Sequence, residues 1–67
     1  MSVDAEKAII KELQANRRLS FGDLKARTGH RPQDVRRALS YLLLNDGRVY
    51  VQGVEDKQKF YAIRDNE

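Results

Sequence analysis

The sequence predicts an α+β fold in which three helices are followed by a β-hairpin. Three observations carry this expectation. Apolar residues recur at helical spacing over residues 3–16 and again after Pro32, a capping signature opens a helix at Ser20, and from Arg48 the period changes to two. A chain of 67 residues buries about 60% of the surface that its unfolded form exposes and builds one core, so the elements belong to a single domain over residues 1–67.

In the first element, Ile9, Ile10 and Leu13 fall within about 100° of helical arc, among polar Lys7, Lys11, Glu12 and Gln14. An amphipathic helix over residues 3–16 follows, ended at Asn16, Arg17 and Arg18. Arg17 and Arg18 are expected to satisfy its last carbonyls and its dipole rather than to belong to a site. The second helix, over residues 21–28, has the strongest local signature. Ser20 can accept from the backbone N–H of Asp23, Asp23 places a carboxylate in the first turn, and Leu19 and Leu24 sit where a hydrophobic staple forms. Thr28 and Gly29 close it, because glycine takes the left-handed conformation that satisfies terminal carbonyls. Pro32 then suits the first position of a third helix, which Asn45, Asp46 and Gly47 stop. Val35, Ala38, Leu39, Leu42 and Leu43 form its apolar face, and Gln33, Arg36, Arg37, Ser40 and Tyr41 gather on the other side, with Leu44 out of place among them. Residues 48–52 and 59–63 read as strands joined by a six-residue loop over 53–58. Such a hairpin is marginal alone, so Val49, Val51, Tyr61 and Ile63 are expected to face the helices.

Composition excludes several classes of function. At 40% hydrophobic and 34% charged residues the chain is not a disordered charged tail. No apolar run approaches the roughly 20 residues of a membrane span or the core of a signal peptide, and a cytoplasmic protein is expected. With no cysteine and one histidine, His30, neither a thiolate nor a histidine metal site nor a relayed serine triad can be assembled. Glu55, Asp56 and Lys57 match part of an acidic-x-Lys nuclease signature, but no earlier carboxylate falls on an expected strand to complete a Mg²⁺ site. The four glycines are too far apart to cradle a phosphate. No enzyme activity, cofactor, metal or small-molecule ligand is expected.

The charge is unevenly placed. Residues 17–37 hold Arg17, Arg18, Lys25, Arg27, Arg31, Arg36 and Arg37 against Asp23 and Asp34, for +5 within a chain of net charge +3. A concentrated basic segment suggests a polyanion, most often nucleic acid, whereas the competing reading is a solvated basic face.

Helix, short helix, turn, longer helix and hairpin, carried by Leu19, Ser20, Asp23 and Leu24, by Thr28 and Gly29, by Val35, Ala38, Leu39 and Leu42, by Asp46 and Gly47, and by Val49, Tyr61 and Ile63, resembles the winged helix-turn-helix superfamily over nearly the whole chain. Leu42, Leu43 and Leu44 followed by a polar turn and Gly47 also resemble the small regulators of fimbrial phase variation. The resemblance implies a third strand from Arg18, Leu19 and Ser20, in the order α-β-α-α-β-β. It further implies that the third helix lies in the major groove of duplex DNA while the hairpin, or wing, touches the backbone or the minor groove.

On that expectation Gln33, Arg36, Arg37 and Ser40 are the candidate base readers, of types that recognise adenine (Gln), guanine (Arg) or either by a hydroxyl. Lys25, Arg27, His30 and Arg31 around the turn, with Lys57 and Lys59 of the wing, are the candidate phosphate contacts. Glu55 and Asp56 leave the wing tip close to neutral, which argues against its deep insertion. Tyr41 and Leu44 form an apolar pair on an otherwise polar face, suited to a homodimer contact or to a protein partner. Three functions are thus weighed: sequence-specific duplex DNA binding by a small transcription regulator, a winged-helix interaction module without nucleic acid, and RNA binding, for which Tyr41 and Tyr50 offer few stacking rings.

Overall fold

A computed structural model describes residues 3–66, and they form an α+β arrangement of three helices and a three-stranded antiparallel sheet. In chain order these are α1 (Val3–Ala15), β1 (Leu19–Ser20), α2 (Phe21–Thr28), α3 (Pro32–Asn45), β2 (Val49–Glu55) and β3 (Gln58–Ile63), closed by a 3-10 turn (Arg64–Asn66). The sheet order is β1-β3-β2, with Leu19 opposite Tyr61 and Val49 opposite Ile63.

Local chemistry explains the helix ends. At the start of α2 the Asp23 N–H donates to Ser20 Oγ at 3.2 Å while the Ser20 N–H donates to Asp23 Oδ2 at 3.1 Å, a reciprocal box that satisfies two donors no helical carbonyl can reach. At its other end Gly29 takes φ 73° and donates to the Lys25 carbonyl at 3.1 Å. The end of α1 departs from expectation. Asn16 Nδ2, not Arg17 or Arg18, donates to a carbonyl of the last turn, that of Glu12 at 2.9 Å, and Asn45 repeats the device on the Tyr41 carbonyl of α3 at 3.0 Å. A short amide reaches back one turn to its own helix, whereas Arg18 lies beyond the last turn and extends along the sheet.

The core joins Ala5, Ile9 and Leu13 of α1 to Leu24 of α2, to Val35, Ala38, Leu39 and Leu42 of α3, and to Leu19, Val49, Tyr61 and Ile63 of the sheet. Ile10 and Phe21 pack against it half-buried. Two expected core residues are not in it. Leu43 stands 36% exposed, because the neighbours of α3 cover the stripe centred on Val35, Leu39 and Leu42 and Leu43 lies on its shoulder. Val51 stands 42% exposed, because the helices cover only the base of the hairpin and burial along β2 fades beyond Val49.

The hairpin itself is longer than expected. Its loop is two residues, Asp56 and Lys57, not the six of 53–58, because both adopt positive φ (52° and 65°), the twist that lets Glu55 and Gln58 pair directly. Between Val51 and Gly53 the register slips, leaving Gln52 as the extra residue of a β-bulge.

Candidate nucleic-acid interface

The turn from Gly29 to Pro32 sets α3 so that its apolar stripe faces inward and Gln33, Arg36, Arg37 and Ser40 are all exposed on the outer side of its N-terminal part. Arg36 is not free to wander. Its guanidinium lies 5.3 Å from the centroid of the Phe21 ring at the start of α2, and the Lys25 ammonium lies 5.8 Å from the same ring. Cations gain from the negative face of an aromatic ring. Phe21, anchored on the core, therefore gathers one candidate base reader and one candidate phosphate contact at a single point.

The ion-paired arginines fall into two sets. Arg27 pairs with Glu12 at 3.7 Å, and Arg31 with Asp34 at 3.8 Å. Both pairs are long and solvent-exposed, a class worth about 0–1 kcal/mol, so each can be exchanged for a phosphate at little cost. Arg18 and Arg48 are held more firmly, by Glu55 at 2.7 Å and by Asp46 and Asp65 at 3.0 and 2.7 Å. The Arg48 guanidinium holds the Asp46 carboxyl below its ordinary range, and Arg18 does the same to Glu55. In contrast, Lys25, Arg36, Arg37, Lys57 and Lys59 have no carboxylate partner among the described residues. His30, half-buried in the turn, donates its backbone N–H to Thr28 Oγ1 at 3.4 Å.

A groove of about 430 Å³ runs between the start of α2 and the hairpin. Phe21 and Gly22 line one side, Lys57, Gln58, Lys59 and Tyr61 the other. Phe21 is thus common to the groove that Lys57 and Lys59 line and to the Arg36 and Lys25 contacts. Tyr61 lies at its floor, where burial pushes the phenol up. Tyr41 and Leu44 stand apart on α3, 53% and 84% exposed.

Sequence reasoning selected the cations but missed what organises them. Phe21 reads as a generic first-turn residue, and its contact with Arg36 crosses from one helix to the next. Arg18 reads as the end of α1, and its partners Gln52, Glu55 and Phe60 lie on the far strands. Among the described residues no cluster of three or more His, Cys, Asp or Glu is placed to hold a metal ion, and no helix is long and apolar enough to cross a membrane.

Compared with models of protein families, with curated proteins and with solved structures, the chain finds no match.

Proposed function

We propose that this chain binds duplex DNA as a winged helix-turn-helix regulator, with α3 in the major groove and the β2–β3 hairpin as a wing along the backbone. The observation that carries the reading is the arrangement at Phe21: Lys25 and Arg36 lie over its ring, and the groove it lines is bordered by Lys57 and Lys59. Among the described residues these cations have no carboxylate partner, so a phosphate backbone supplies the counter-charge that the described fold does not. On α3, Gln33, Arg36, Arg37 and Ser40 present side chains able to read base edges, and reading a groove requires such groups on one exposed helical face. Lys25, Arg27, His30 and Arg31 then fix register on the backbone. The function that fits is a small transcription regulator.

The exposure of Leu44 and Tyr41 favours one second reading, a protein contact on α3. In the DNA reading it serves a homodimer; without DNA it serves a partner in a larger assembly. Selection from a pool of random duplexes, with sequencing of the retained fraction, separates these outcomes. Enrichment of a motif that Arg36→Ala and Arg37→Ala erase is expected. Retention of no duplex, or an unaltered motif in both variants, removes the proposal in favour of the interaction module.

A further inference from the structure

The hairpin tip carries charges of both signs, and the bulge places Glu55 and Lys59 on opposite faces. Residues paired across strands share a face of the sheet. Leu19 with Tyr61, and Val49 with Ile63, face the helices, so unbroken alternation would bring residue 55 of β2 to that side as well. The extra residue between Val51 and Gly53 reverses the phase. Beyond it Val54 pairs with Lys59 on the helix side, while Glu55 pairs with Gln58 on the outer side, the face that carries Phe60.

Arg18 occupies that outer face. It precedes Leu19, whose side chain points into the core, and so points away from the helices. Its guanidinium lies 4.2 Å from the centroid of the Phe60 ring, Nη1 is 2.7 Å from Glu55 Oε2, and the same nitrogen donates to Gln52 Oε1 at 3.3 Å. One side chain just before β1 therefore crosses β3 and holds β2 at both its bulge and its tip.

We propose that Arg18 is the positioning residue of the wing: it straps the bulged hairpin to β1 and cancels the Glu55 charge, so that of the tip carboxylates only Asp56 opposes Lys57 and Lys59 toward a polyanion. The proposal rests on the duplex-binding reading for its consequence, and on the geometry around Arg18 for the strap itself. Arg18 acts through the hairpin and needs no contact with DNA. A lysine could keep the ion pair but not the planar contact with Phe60.

The test uses the full chain and the variants Arg18→Ala, Arg18→Lys, Glu55→Gln and Arg18→Ala with Glu55→Gln. Two quantities are measured: amide hydrogen exchange of residues 52–60 in the free protein, and affinity for a short mixed-sequence duplex at low salt. Arg18→Ala is expected to speed exchange in the hairpin about tenfold while the core amides of α1 stay protected. It should weaken duplex binding about two- to fivefold, and adding Glu55→Gln should restore at least half of that loss on a logarithmic scale while exchange stays fast. Arg18→Lys should fall between wild type and Arg18→Ala in exchange. An affinity loss that Glu55→Gln leaves untouched would show Arg18 to be a direct phosphate contact and overturn the proposal. Unchanged hairpin exchange, or fast exchange with unchanged affinity, overturns it equally. If the wild-type protein binds no duplex, the DNA reading fails, and the exchange data alone then decide whether the strap exists.

Discussion

Arg36 and Arg37 are neighbours in sequence, but Arg36 is oriented by the Phe21 ring while Arg37 has no such partner among the described residues. Both should act as readers. Arg36→Ala or Arg37→Ala is expected to cost about 1–3 kcal/mol on the preferred site and to relax the selected motif, as loss of a bidentate guanine contact requires. Lys25→Ala or Arg31→Ala should instead weaken all duplexes about equally and reduce the salt slope by about one, since only released counterions are at stake. Competition titrations on matched and mismatched duplexes distinguish the two patterns. Phe21→Leu isolates the platform: an aliphatic side chain still packs on the core but offers no π face. It should leave Tm within a few degrees while lowering affinity about two- to fivefold, the scale of an exposed cation–π contact. Equal affinity in wild type and Phe21→Leu would show that Arg36 needs no orientation. The cations of this surface were legible in the sequence because charge is a property of single residues. Phe21 and Arg18 were not, because their roles exist only once separate elements pack.

Among the elements, α2 was the most legible and the hairpin the least, and the difference lies in the range of the interactions that define them. The Ser20 and Asp23 box, the Leu19 and Leu24 staple and the Gly29 cap all act within one short stretch, so the residue types alone specify the helix. The sequence suggests a six-residue loop because Asp56 and Lys57 lack the asparagine-glycine signature of a two-residue turn, whereas the β2–β3 pairing imposes positive φ on both. That imposition predicts stored strain at Lys57. Lys57→Gly should stabilise the fold by about 1 kcal/mol, raising Tm about 4–8 °C in thermal melts, while duplex affinity falls because a cation is lost. A melt that does not rise would mean that the turn is relaxed with lysine in place. Where α3 passes into β2, Asp46 accepts from the Arg48 backbone N–H and from its guanidinium, which lowers the Asp46 pKa. A carboxyl with a depressed folded-state pKa adds stability that is fully present above its unfolded value and is lost as pH falls through the folded one. Tm should therefore be flat above about pH 5 and fall below about pH 4, with a shallower acid limb in Asp46→Asn.

For the molecule as a whole, the sequence showed where charge accumulates but not how it is distributed over a surface. The +5 of residues 17–37 is partly consumed from outside the segment, by Glu12 on Arg27 and Glu55 on Arg18, while Lys57 and Lys59 of the hairpin line the groove beside Phe21. The five cations assigned to phosphates, Lys25, Arg27, Arg31, Lys57 and Lys59, then set the scale of the electrostatic binding. If each neutralises one phosphate, log affinity should fall against log salt with a slope of about −4 to −5 for one bound copy. A single domain of this size covers about one half-site, and the affinity of a regulator generally comes from two half-sites related by a two-fold axis. The exposed Leu44 and Tyr41 give the chain an apolar patch that can pair with itself about such an axis. Two copies binding together should therefore double the slope, to about −9, and Leu44→Glu, by placing like charges against each other at the axis, should return it to the single-copy value with helix content unchanged. Anisotropy titrations over a salt series, read beside light scattering of the complex, measure slope and stoichiometry together. One copy per selected site in the wild type, with a slope that Leu44→Glu does not alter, would exclude the dimer and leave α3, the wing and the turn of a lone domain to supply all of the affinity.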